Sequence, residues 1–442
     1  MIHILHSSFF IHSFDHSLII NRIAIKVKPA AERSIRQGHP WVFEGSIVKQ
    51  SKPGQAGDLA IVFDQKKDKL LAVGLYDPTS PIRIKLISFG KPATLNKEWF
   101  LEKIRAAHAL RQPLLETDTN SYRLVFGEND GLPGLIADAY AHVLVVKLYS
   151  PIWLPYWEVV YPILLEVSGC EILVLRLSRH LAGSVSPSGG GQGEEKAKRI
   201  GAVPPPGPVQ EGRNNPFYDG QVIHGDLPNE EIIFREHGLR FSANVIKGHK
   251  TGFFLDHRHN RKKVGELATG KSVLDVFSYA GGFSVHALAG GAASVTSLDI
   301  SKQALEMAKK NASLNAHQGA HETIALDAFE AMAQLRRSGK TFDLIVVDPP
   351  SFAKKESEVS GAMKSYARLA RLALPLVAEN GTLMMASCSS RIQPALFFKI
   401  IETEMQASVR RFEIMEKMFH DVDHPVGFPE GAYLKAGYYR VF

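Results

Sequence analysis

Apolar and polar residues alternate over short intervals in the first part of the chain. The segment "IAIKVK" alternates strictly, and "GDLAIVF", "LAVGLYD" and "IRIKLIS" follow it with Gly, Pro and Asp between them. A period of two residues is typical of strands with one buried face, and the intervening residues favour turns. The pattern predicts a small β-barrel or open β-unit over residues 22–92.

A helical period follows this unit. The segment "NKEWFLEKIRAAHALRQPLL" predicts a helix whose apolar face carries Trp99, Phe100, Ile104, Ala107 and Leu110. The apolar runs "HVLVVKLYS" and "CEILVLRLS" come next, and they predict a second, central α/β unit over residues 93–240.

The segment 182–215 interrupts the central unit. Gly, Pro, Ser and charged residues dominate it, and few of its residues can build a core. Such a composition favours a flexible surface excursion. Four cations in it are candidates for nucleic-acid contact, although a solvated linker is the preferred interpretation: Lys196, Lys198, Arg199 and Arg213.

Strands and helices alternate over residues 241–442. Five apolar runs, "SVLDVF", "ASVTSLDI", "ETIALD", "FDLIVVDPP" and "GTLMMASC", are separated by helical patterns such as the one that begins after the N-cap candidate Ser301. This alternation predicts an α/β domain with a doubly wound, mostly parallel sheet. Such sheets bind ligands at the carboxyl ends of their strands. The residues predicted at those ends are Asp275, Asp299, Asp327, Asp348 and Cys388.

Length and composition narrow the class of protein. A chain of 442 residues is expected to form two or three domains. The net charge of +7 and the isoelectric point near 9.1 favour polyanionic partners. The two cysteines cannot form a disulfide framework, and no clustered spacing of Cys and His suggests a metal site. We therefore expect a reducing, cytoplasmic setting and no metal.

The first 21 residues are apolar but interrupted by His3, His6, His12, Asp15 and His16. This is a poor signal peptide and is too polar for a membrane span. We expect a loosely attached extension that precedes the folded domains, with a small strand as the alternative. No other segment approaches the length that a membrane helix needs, so no membrane partner is expected.

The predicted strand ends indicate a cofactor site. Asp275 is followed by Gly281 and Gly282, where a turn without Cβ atoms lets a ligand approach the first N–H groups of a helix. Asp299 ends the next strand, where a carboxylate can accept hydrogen bonds from the hydroxyls of a ribose. These two features fit a dinucleotide cofactor equally well. In "DPPSF", Asp348 precedes two prolines that make a rigid turn with free carbonyl acceptors. This turn favours methyl transfer to a nucleobase.

These motifs, in this order, resemble those of class I S-adenosylmethionine-dependent methyltransferases. Together with "GHPWVFEG", "YRLVFGENDGLPGLIADAY", "EHGLRF", "GHKTGFFLDHRHNR", "FSYAGGFSV", "SCSS" and "DHPVGFPEGAYLK", they resemble the bacterial 23S rRNA cytosine-5 methyltransferases, which carry an N-terminal PUA domain. The likeness runs from about Arg22 to Phe442 except for segment 182–215. It implies a small β-rich PUA domain and a central α/β domain, followed by a Rossmann-like methyltransferase domain.

The resemblance also implies a set of cofactor contacts. Asp275 and the Gly281–Gly282 turn would lie against the methionine portion of S-adenosylmethionine, Asp299 against the ribose and Asp327 against the adenine. Asp348 would lie at the reaction centre, and the "KTGFFLDHR" loop, with Asp256 and Arg258, would help to close the site. A structural salt bridge between those two residues is the alternative. Neighbouring residues expected in the same site are Phe277, Tyr279, Ile300 and Ala328.

Cys388 is the predicted nucleophile. Carbon 5 of cytosine is a poor nucleophile, and addition of a thiolate to carbon 6 creates an enamine that can attack the sulfonium methyl group. A small buried filler is the alternative for this cysteine, and strand packing is the expected role of Cys170. The base that removes the carbon 5 proton stays open between Asp348, His424 and water. Methylation of a guanine nitrogen, which needs no cysteine, and a non-catalytic RNA-binding or assembly protein are the other functions considered.

The expected partner is 23S rRNA, as naked RNA or in an assembly intermediate, and a homodimer through an exposed sheet edge is a further candidate. In "RQGHPWVFEG", cations combine with aromatic residues in a turn-rich module, which suits phosphate contact and base stacking. For Phe43 a place in the strand's core is preferred. The predicted RNA contacts are Arg33, Arg36, His39 and Trp41.

Overall fold

The computed structural model describes residues 20–185 and 217–442, without the side chains of residues 183–185. Residues 1–19 of the predicted extension lie outside these ranges. Nearly all of segment 182–215 does so too, including its four cations. Within the described ranges, no helix is both long enough and apolar enough to cross a membrane.

The first sheet has six strands and confirms the predicted β-rich unit. Its spatial order is β2-β6-β5-β4-β1-β3, with β1 and β4 parallel and the other pairs antiparallel. One helix follows its first strand. The elements are β1 (Arg22–Val27), α1 (Pro29–Arg36), β2 (Trp41–Phe43), β3 (Ile47–Gln50), β4 (Leu59–Phe63), β5 (Leu70–Tyr76) and β6 (Ile82–Phe89).

The second sheet has five strands in the order β11-β10-β9-β8-β7 and packs against two long helices. Only β9 and β10 are parallel, because helix α3 provides the crossover between them. The elements are α2 (Lys97–Leu115), β7 (Ser121–Phe126), β8 (Leu135–Tyr140), β9 (Val143–Leu148), α3 (Trp157–Ser168), β10 (Ile172–Leu177), α4 (Arg179–Val185) and β11 (Gln221–His224).

A hairpin leads from the second sheet to the third. Its strands are β12 (Glu231–Glu236) and β13 (Leu239–Asn244). The two turn residues, His237 and Gly238, have φ of 49° and 79°. Positive φ at both positions matches the turn whose twist suits a two-residue hairpin. The hairpin buries Phe234 and Phe241 beside the third sheet.

The third sheet has seven strands in the order β16-β15-β14-β17-β18-β20-β19. Its first five strands are parallel and coincide with the five predicted apolar runs, which confirms the doubly wound fold. Ser301 caps α7, as predicted. The elements are α5 (Arg258–Leu267), β14 (Ser272–Val276), α6 (Gly282–Ala289), β15 (Ser294–Asp299), α7 (Lys302–Ser313), β16 (Ala320–Ala325), α8 (Ala328–Arg337), β17 (Phe342–Val347), α9 (Val359–Ala373), β18 (Val377–Ser387), α10 (Pro394–Ala407), β19 (Phe412–Met418) and β20 (Lys435–Val441).

The hydrophobic cores cross the boundaries between the sheets. One core joins Leu75 of β5 to Trp153 and to Phe100 of α2. Another joins Val145 of β9 to Phe253 and to the strands of the third sheet. The three sheets are therefore packed into one continuous body of described residues.

Two predictions about side-chain burial are wrong. Leu110 is 52% exposed, and Arg111 is fully buried in its place because its guanidinium reaches Asp130 at 2.6 Å. Phe43 is 47% exposed, and Val42 faces the core of the first sheet instead. Cys170 is buried in the core of the second sheet.

Candidate active site

Three side chains from distant parts of the chain meet at the carboxyl end of the third sheet. Cys388 follows β18, Asp348 follows β17, and His257 precedes α5. Sγ of Cys388 lies 3.5 Å from Nε2 of His257 and 3.8 Å from Oδ1 of Asp348. Nε2 of His257 lies 3.3 Å from the same Asp348 oxygen. The thiol and the carboxylate of the Pro-Pro turn therefore lie side by side at this edge of the sheet.

The segment around Cys388 is held on both sides. The Ser387 hydroxyl bonds to the hydroxyl of Tyr366 at 2.8 Å, and Ser389 Oγ donates to the carbonyl of Ala353 at 2.9 Å. The ammonium group of Lys435 donates to the carbonyls of Ser389 and Tyr433. These bonds fix the direction of the thiol between two serines.

Lys435 is fully buried at the start of β20 and forms no ion pair with a carboxylate of the described residues. Burial lowers the pKa of its ammonium group to about 8, and the neighbouring Cys388 opposes this shift. A buried cation without a carboxylate partner is costly, which makes it a natural counter-charge for a thiolate.

The pKa of Cys388 lies well above its ordinary value. Burial is the largest cause, and the charges of Asp348 and Asp256 add to it, whereas Lys250 and Lys435 lower the pKa. The thiol is therefore protonated in the resting protein at neutral pH. A nearby acceptor for its proton is needed before the sulfur can act as a nucleophile.

The loop that precedes α5 forms one wall of this site. Asp256 accepts from Lys250 at 3.2 Å and from the hydroxyl of Tyr433 at 2.9 Å. The Lys250 ammonium lies 4.3 Å from the centre of the Phe254 ring, and that ring contacts Tyr279 at 5.2 Å. The loop thus connects the thiol site to the turn that follows β14.

That turn has an unusual backbone. Phe277, Tyr279 and Gly281 have φ of 66°, 47° and 75°. Positive φ in two aromatic residues is uncommon, and such strain concentrates at ligand sites. A Cβ on Gly281 would lie 2.7 Å from Cβ of Ala308, so this position requires glycine for packing as well as for its φ. Gly282 begins α6 directly after it.

Carboxylates surround this turn. Asp275 accepts from the backbone N–H of Ser284 at 3.0 Å and from its hydroxyl at 2.7 Å, while its other oxygen is buried without a hydrogen-bond partner. Asp299 accepts from the N–H of Tyr279 at 3.0 Å and from that of Ser301 at 2.8 Å. The carboxylates at the strand ends therefore fix the backbone of the turn by hydrogen bonds and also place negative charge beside it.

The predicted adenine side of the crevice is open. Ile300 is 73% exposed next to Asp299, where an apolar side chain can cover a flat ring. Asp327 is exposed and caps α8 by accepting from the N–H groups of Phe329 and Glu330, and Ala328 is buried behind it. One carboxylate oxygen carries both capping bonds, which leaves the other oxygen of Asp327 for a ligand.

Arg258 has surroundings that favour a structural role over the predicted cofactor contact. Its guanidinium is fully buried and lies 3.0 Å from Asp423, 3.3 Å from Asp421 and 3.7 Å from Glu236. The alternative, a salt bridge between Arg258 and Asp256, is wrong for the described residues, because Asp256 pairs with Lys250.

The predicted RNA contacts separate into two groups. Arg33 and Arg36 are exposed on α1, and Arg36 lies 3.6 Å from Asp64. His39 and Trp41 instead contact the C-terminal loop, where the Trp41 and Phe428 rings are 5.1 Å apart. Nε2 of His39 also lies 3.3 Å from Glu430, and the indole N–H of Trp41 donates to Glu128 at 2.9 Å.

A cavity of about 610 Å³ lies between the first sheet, the second sheet and the active-site loop. Both aromatic and cationic side chains line it. Lys250 and Tyr433 line the cavity and also bond to Asp256. Other lining residues are Thr79, Phe126, Tyr149 and His180.

Sequence reasoning missed His257 and Lys435 as members of the site. Each lies in a motif that was quoted for the resemblance, "FFLDHRHNR" or "GAYLK", but neither stands at the end of a parallel strand. His424, a predicted candidate base, is fully buried and its Nδ1 lies 2.7 Å from Asp423.

Comparison with known proteins identifies the family. A model of S-adenosylmethionine-dependent methyltransferases matches residues 210–439, and a model of PUA-like domains matches residues 25–89. The chain is 41% identical over 421 residues to a ribosomal RNA large subunit methyltransferase of Deinococcus radiodurans, covering 94% of this chain and 96% of the relative. The chain belongs to this methyltransferase family.

A further relative has a name of the same kind, and two solved structures have the same fold. Ribosomal RNA large subunit methyltransferase I of Shewanella frigidimarina is 35% identical, covering 95% of this chain and all of the relative. A putative methyltransferase of Streptococcus mutans has the same fold, with a TM-score of 0.75 at 20% identity over 94% of this chain and 99% of that one. A second solved structure, SMU.776 in complex with S-adenosylhomocysteine, also superposes with a TM-score of 0.75, at 20% identity over 95% and 100%.

S-adenosylmethionine is the cofactor of this family, and the crevice suits it. The pKa of Asp275 is raised to about 7, first by burial and then by the charges of Asp348 and Asp299. Three carboxylates that repel one another favour a cationic ligand, and this cofactor carries a sulfonium and an ammonium group. Asp275, Asp299 and Asp348 would therefore hold it electrostatically, with Ile300 beside the adenine.

The affinity for S-adenosylmethionine should depend on pH through Asp275. Below pH 7 the carboxyl group is protonated and its attraction for the cationic cofactor is lost, so we expect affinity to fall by up to about tenfold per pH unit. Isothermal titration calorimetry between pH 6 and pH 8 measures this. In Asp275→Asn the dependence should flatten, and an equally steep dependence in that variant would assign it to another group.

Proposed function

We propose that this chain transfers a methyl group to carbon 5 of a cytosine in 23S ribosomal RNA through a covalent adduct with Cys388. The main support is the contact of the Cys388 thiol with Asp348 and His257 at the cofactor end of the sheet. The relatives are ribosomal RNA large subunit methyltransferases by name, which supports the RNA substrate.

His257 is the proposed acceptor of the thiol proton. With hydrogen on Nδ1, its Nε2 can accept this proton over 3.5 Å, and the resulting imidazolium would pair with Asp348 at 3.3 Å. Lys435 and Lys250 would then stabilise the thiolate, because both lower the pKa of Cys388. These three side chains would therefore compensate for the raised pKa of the resting thiol, because they accept its proton and stabilise the thiolate.

The thiolate adds to carbon 6 of cytosine, and the electron pair of the carbon 5–carbon 6 bond becomes available at carbon 5. S-adenosylmethionine would supply the methyl group that carbon 5 takes up, and the electron pair of the broken methyl–sulfur bond would stay with the departing S-adenosylhomocysteine. Removal of the carbon 5 proton restores the double bond and breaks the carbon–sulfur bond, which releases the thiolate. Asp348 is the proposed base for this proton, since it lies 3.8 Å from Sγ whereas His424 is engaged by Asp423.

The cavity between the sheets is the proposed path of the RNA strand. A target base inside a folded RNA has to be extruded to reach the thiol, at a cost of a few kcal/mol. Tyr149 is 52% exposed in the cavity and Lys147 lies 5.7 Å above its ring, a combination that suits base stacking beside a phosphate. His180 and Lys250 add further donors along the cavity.

Replacement of Tyr149 by alanine should weaken RNA binding. Loss of one stacking platform costs about 1–3 kcal/mol, which is about 5- to 150-fold in affinity. Fluorescence anisotropy with a 23S rRNA fragment measures the change, and the affinity for S-adenosylmethionine should stay the same. Tyr218→Ala is the matched control, because Tyr218 is also exposed but lies outside the cavity. Equal losses in both variants would contradict the proposed path.

The covalent mechanism can be tested with RNA that contains 5-fluorocytidine. Fluorine at carbon 5 cannot leave as a proton, so the methylated adduct should persist on Cys388 and be found there by peptide mass spectrometry. Mapping of modified nucleosides in rRNA from a deletion strain identifies the target. A product methylated on a guanine nitrogen, with no adduct, would refute the proposal, and absence of any methylated product would favour an assembly protein.

A further inference from the structure

The three side chains at the nucleophile also form a set of metal ligands. Sγ of Cys388, Nε2 of His257 and a carboxylate oxygen of Asp348 all lie within 4.8 Å of one another. The residues are far apart in the sequence, so their spacing gave no sign of a metal site. The fold brings them together from the ends of two strands and the start of α5.

The distances between these atoms match a tetrahedral zinc site. Zinc bonds of about 2.3 Å to sulfur and about 2.0–2.1 Å to nitrogen or oxygen, at tetrahedral angles, separate the nitrogen and oxygen by about 3.3 Å and place sulfur about 3.6 Å from each. The structure has 3.3 Å between His257 and Asp348, 3.5 Å between Cys388 and His257, and 3.8 Å between Cys388 and Asp348. A zinc ion would fit with shifts of a few tenths of an ångström.

The chemistry of the ligands selects the ion. Thiolate and imidazole favour Zn²⁺ over Mg²⁺ and Ca²⁺, which prefer oxygen ligands. A second carboxylate, Asp256, lies nearby. Its charge raises the pKa of Cys388, and His257 in turn lowers the pKa of Asp256. Oδ1 of Asp256 is buried without a hydrogen-bond partner. The surplus of negative groups suits a divalent cation.

We propose that Cys388, His257 and Asp348 bind Zn²⁺, with water as the fourth ligand, and that the bound ion reversibly inhibits the enzyme. Binding displaces the thiol proton to solvent and forms a zinc–sulfur bond, so the sulfur can no longer add to carbon 6 of cytosine. The site itself rests on the geometry, whereas the inhibition also rests on the proposed role of Cys388.

Co²⁺ is the probe for the site, since it replaces Zn²⁺ and is coloured. Titration of the full-length protein, free of affinity tags, should give one equivalent of bound Co²⁺ with a sulfur-to-cobalt charge-transfer band and the visible bands of a tetrahedral ion. Zn²⁺ should abolish these bands and a tenfold excess of Mg²⁺ should not. A cobalt spectrum without the sulfur band would show ordinary surface histidine binding and would overturn the proposal.

Variants locate the ligands. Cys388→Ser should lose the sulfur band, and His257→Gln should weaken Zn²⁺ binding by about tenfold or more, since even a lost partner of a ligand costs about 10- to 100-fold. Cys170→Ala is the matched control and should keep the wild-type spectrum, because Cys170 lies in the core of the second sheet. Circular dichroism confirms that each variant is folded. A band that survives in Cys388→Ser and disappears in Cys170→Ala would refute the site.

A second readout does not depend on catalysis. Zn²⁺ should protect Cys388 from alkylation by iodoacetamide at least tenfold, measured by peptide mass spectrometry, and a chelator should restore the reaction. Protection together with full methylation activity in Cys388→Ala would uphold the metal site and refute the proposed mechanism. Unchanged alkylation in saturating Zn²⁺ would refute the metal site and leave the mechanism standing.

Discussion

Methylation of 23S rRNA should fall by at least about 1,000-fold when Cys388 is replaced by alanine. Without the sulfur, carbon 5 of cytosine has to attack the methyl group as part of an aromatic ring, and the chain's other cysteine, Cys170, cannot replace it because it lies in the core of the second sheet. His257 and Asp348 then keep their contact but have no thiol to act on. Single-turnover transfer of a labelled methyl group measures the loss.

Two controls make this result specific. Cys170→Ala should retain activity, since that cysteine is packed in the second sheet. Binding of S-adenosylmethionine to Cys388→Ala should remain within about twofold of the wild type, because the crevice carboxylates are unchanged. Activity within tenfold of the wild type in Cys388→Ala would contradict the covalent mechanism and favour methylation of a nitrogen.

Replacement of Arg258 by methionine should lower the free energy of unfolding by about 3–5 kcal/mol. The guanidinium is fully buried and compensates Asp423, Asp421 and Glu236, and it also donates to the carbonyl of Ser121 at 2.9 Å. Methionine fills a similar volume but removes a buried positive charge from beside Asp423 and Asp421, whereas Glu236 keeps its ion pair with Arg261 at 2.6 Å. Urea unfolding followed by circular dichroism measures the change.

Arg235→Met is the matched control for this experiment. Arg235 pairs with Asp118 at 2.8 Å, but both side chains are at least half exposed. Water screens such pairs, so the expected loss is about 0–1 kcal/mol. If Arg258→Met is no more destabilising than Arg235→Met, the buried ion pairs around Arg258 do not contribute to stability in the way that their burial indicates.

The parallel strands of the third sheet were predictable because their apolar runs alternate with helical patterns, because several runs are rich in Val and Ile, and because four of the five have an acidic residue at or near the end. The same regularity placed Asp275, Asp299 and Asp348 near one crevice, since the carboxyl ends of parallel strands share one edge. Ser301 was predictable from its own side chain, because a serine that precedes a helical period can bond to the N–H three residues on.

The errors have a common physical cause. Leu110 and Arg111 occupy adjacent positions on α2, and which of them is buried depends on Asp130, which lies elsewhere in the chain. Phe43 and Val42 alternate on a three-residue strand, which is too short for its pattern to indicate the buried face. Burial was decided in both cases by tertiary partners that periodicity does not report.

In the active site, too, local patterns could be predicted and long-range partners could not. Residues at the ends of strands could be predicted, but His257 and Lys435 reach Cys388 from a loop and from an antiparallel strand. The location of Arg258 also depends on long-range partners, since its carboxylates lie at positions 236, 421 and 423. No local pattern links these positions.

The loop between β19 and β20 connects parts of the protein that lie far apart in the sequence. It carries Asp421 and Asp423, which neutralise Arg258, and Phe428, which packs on Trp41 of the first sheet. A protease cut in this loop would therefore release Arg258 from two of its carboxylates and Trp41 from its ring contact together, and would loosen the first sheet and the third sheet in one event.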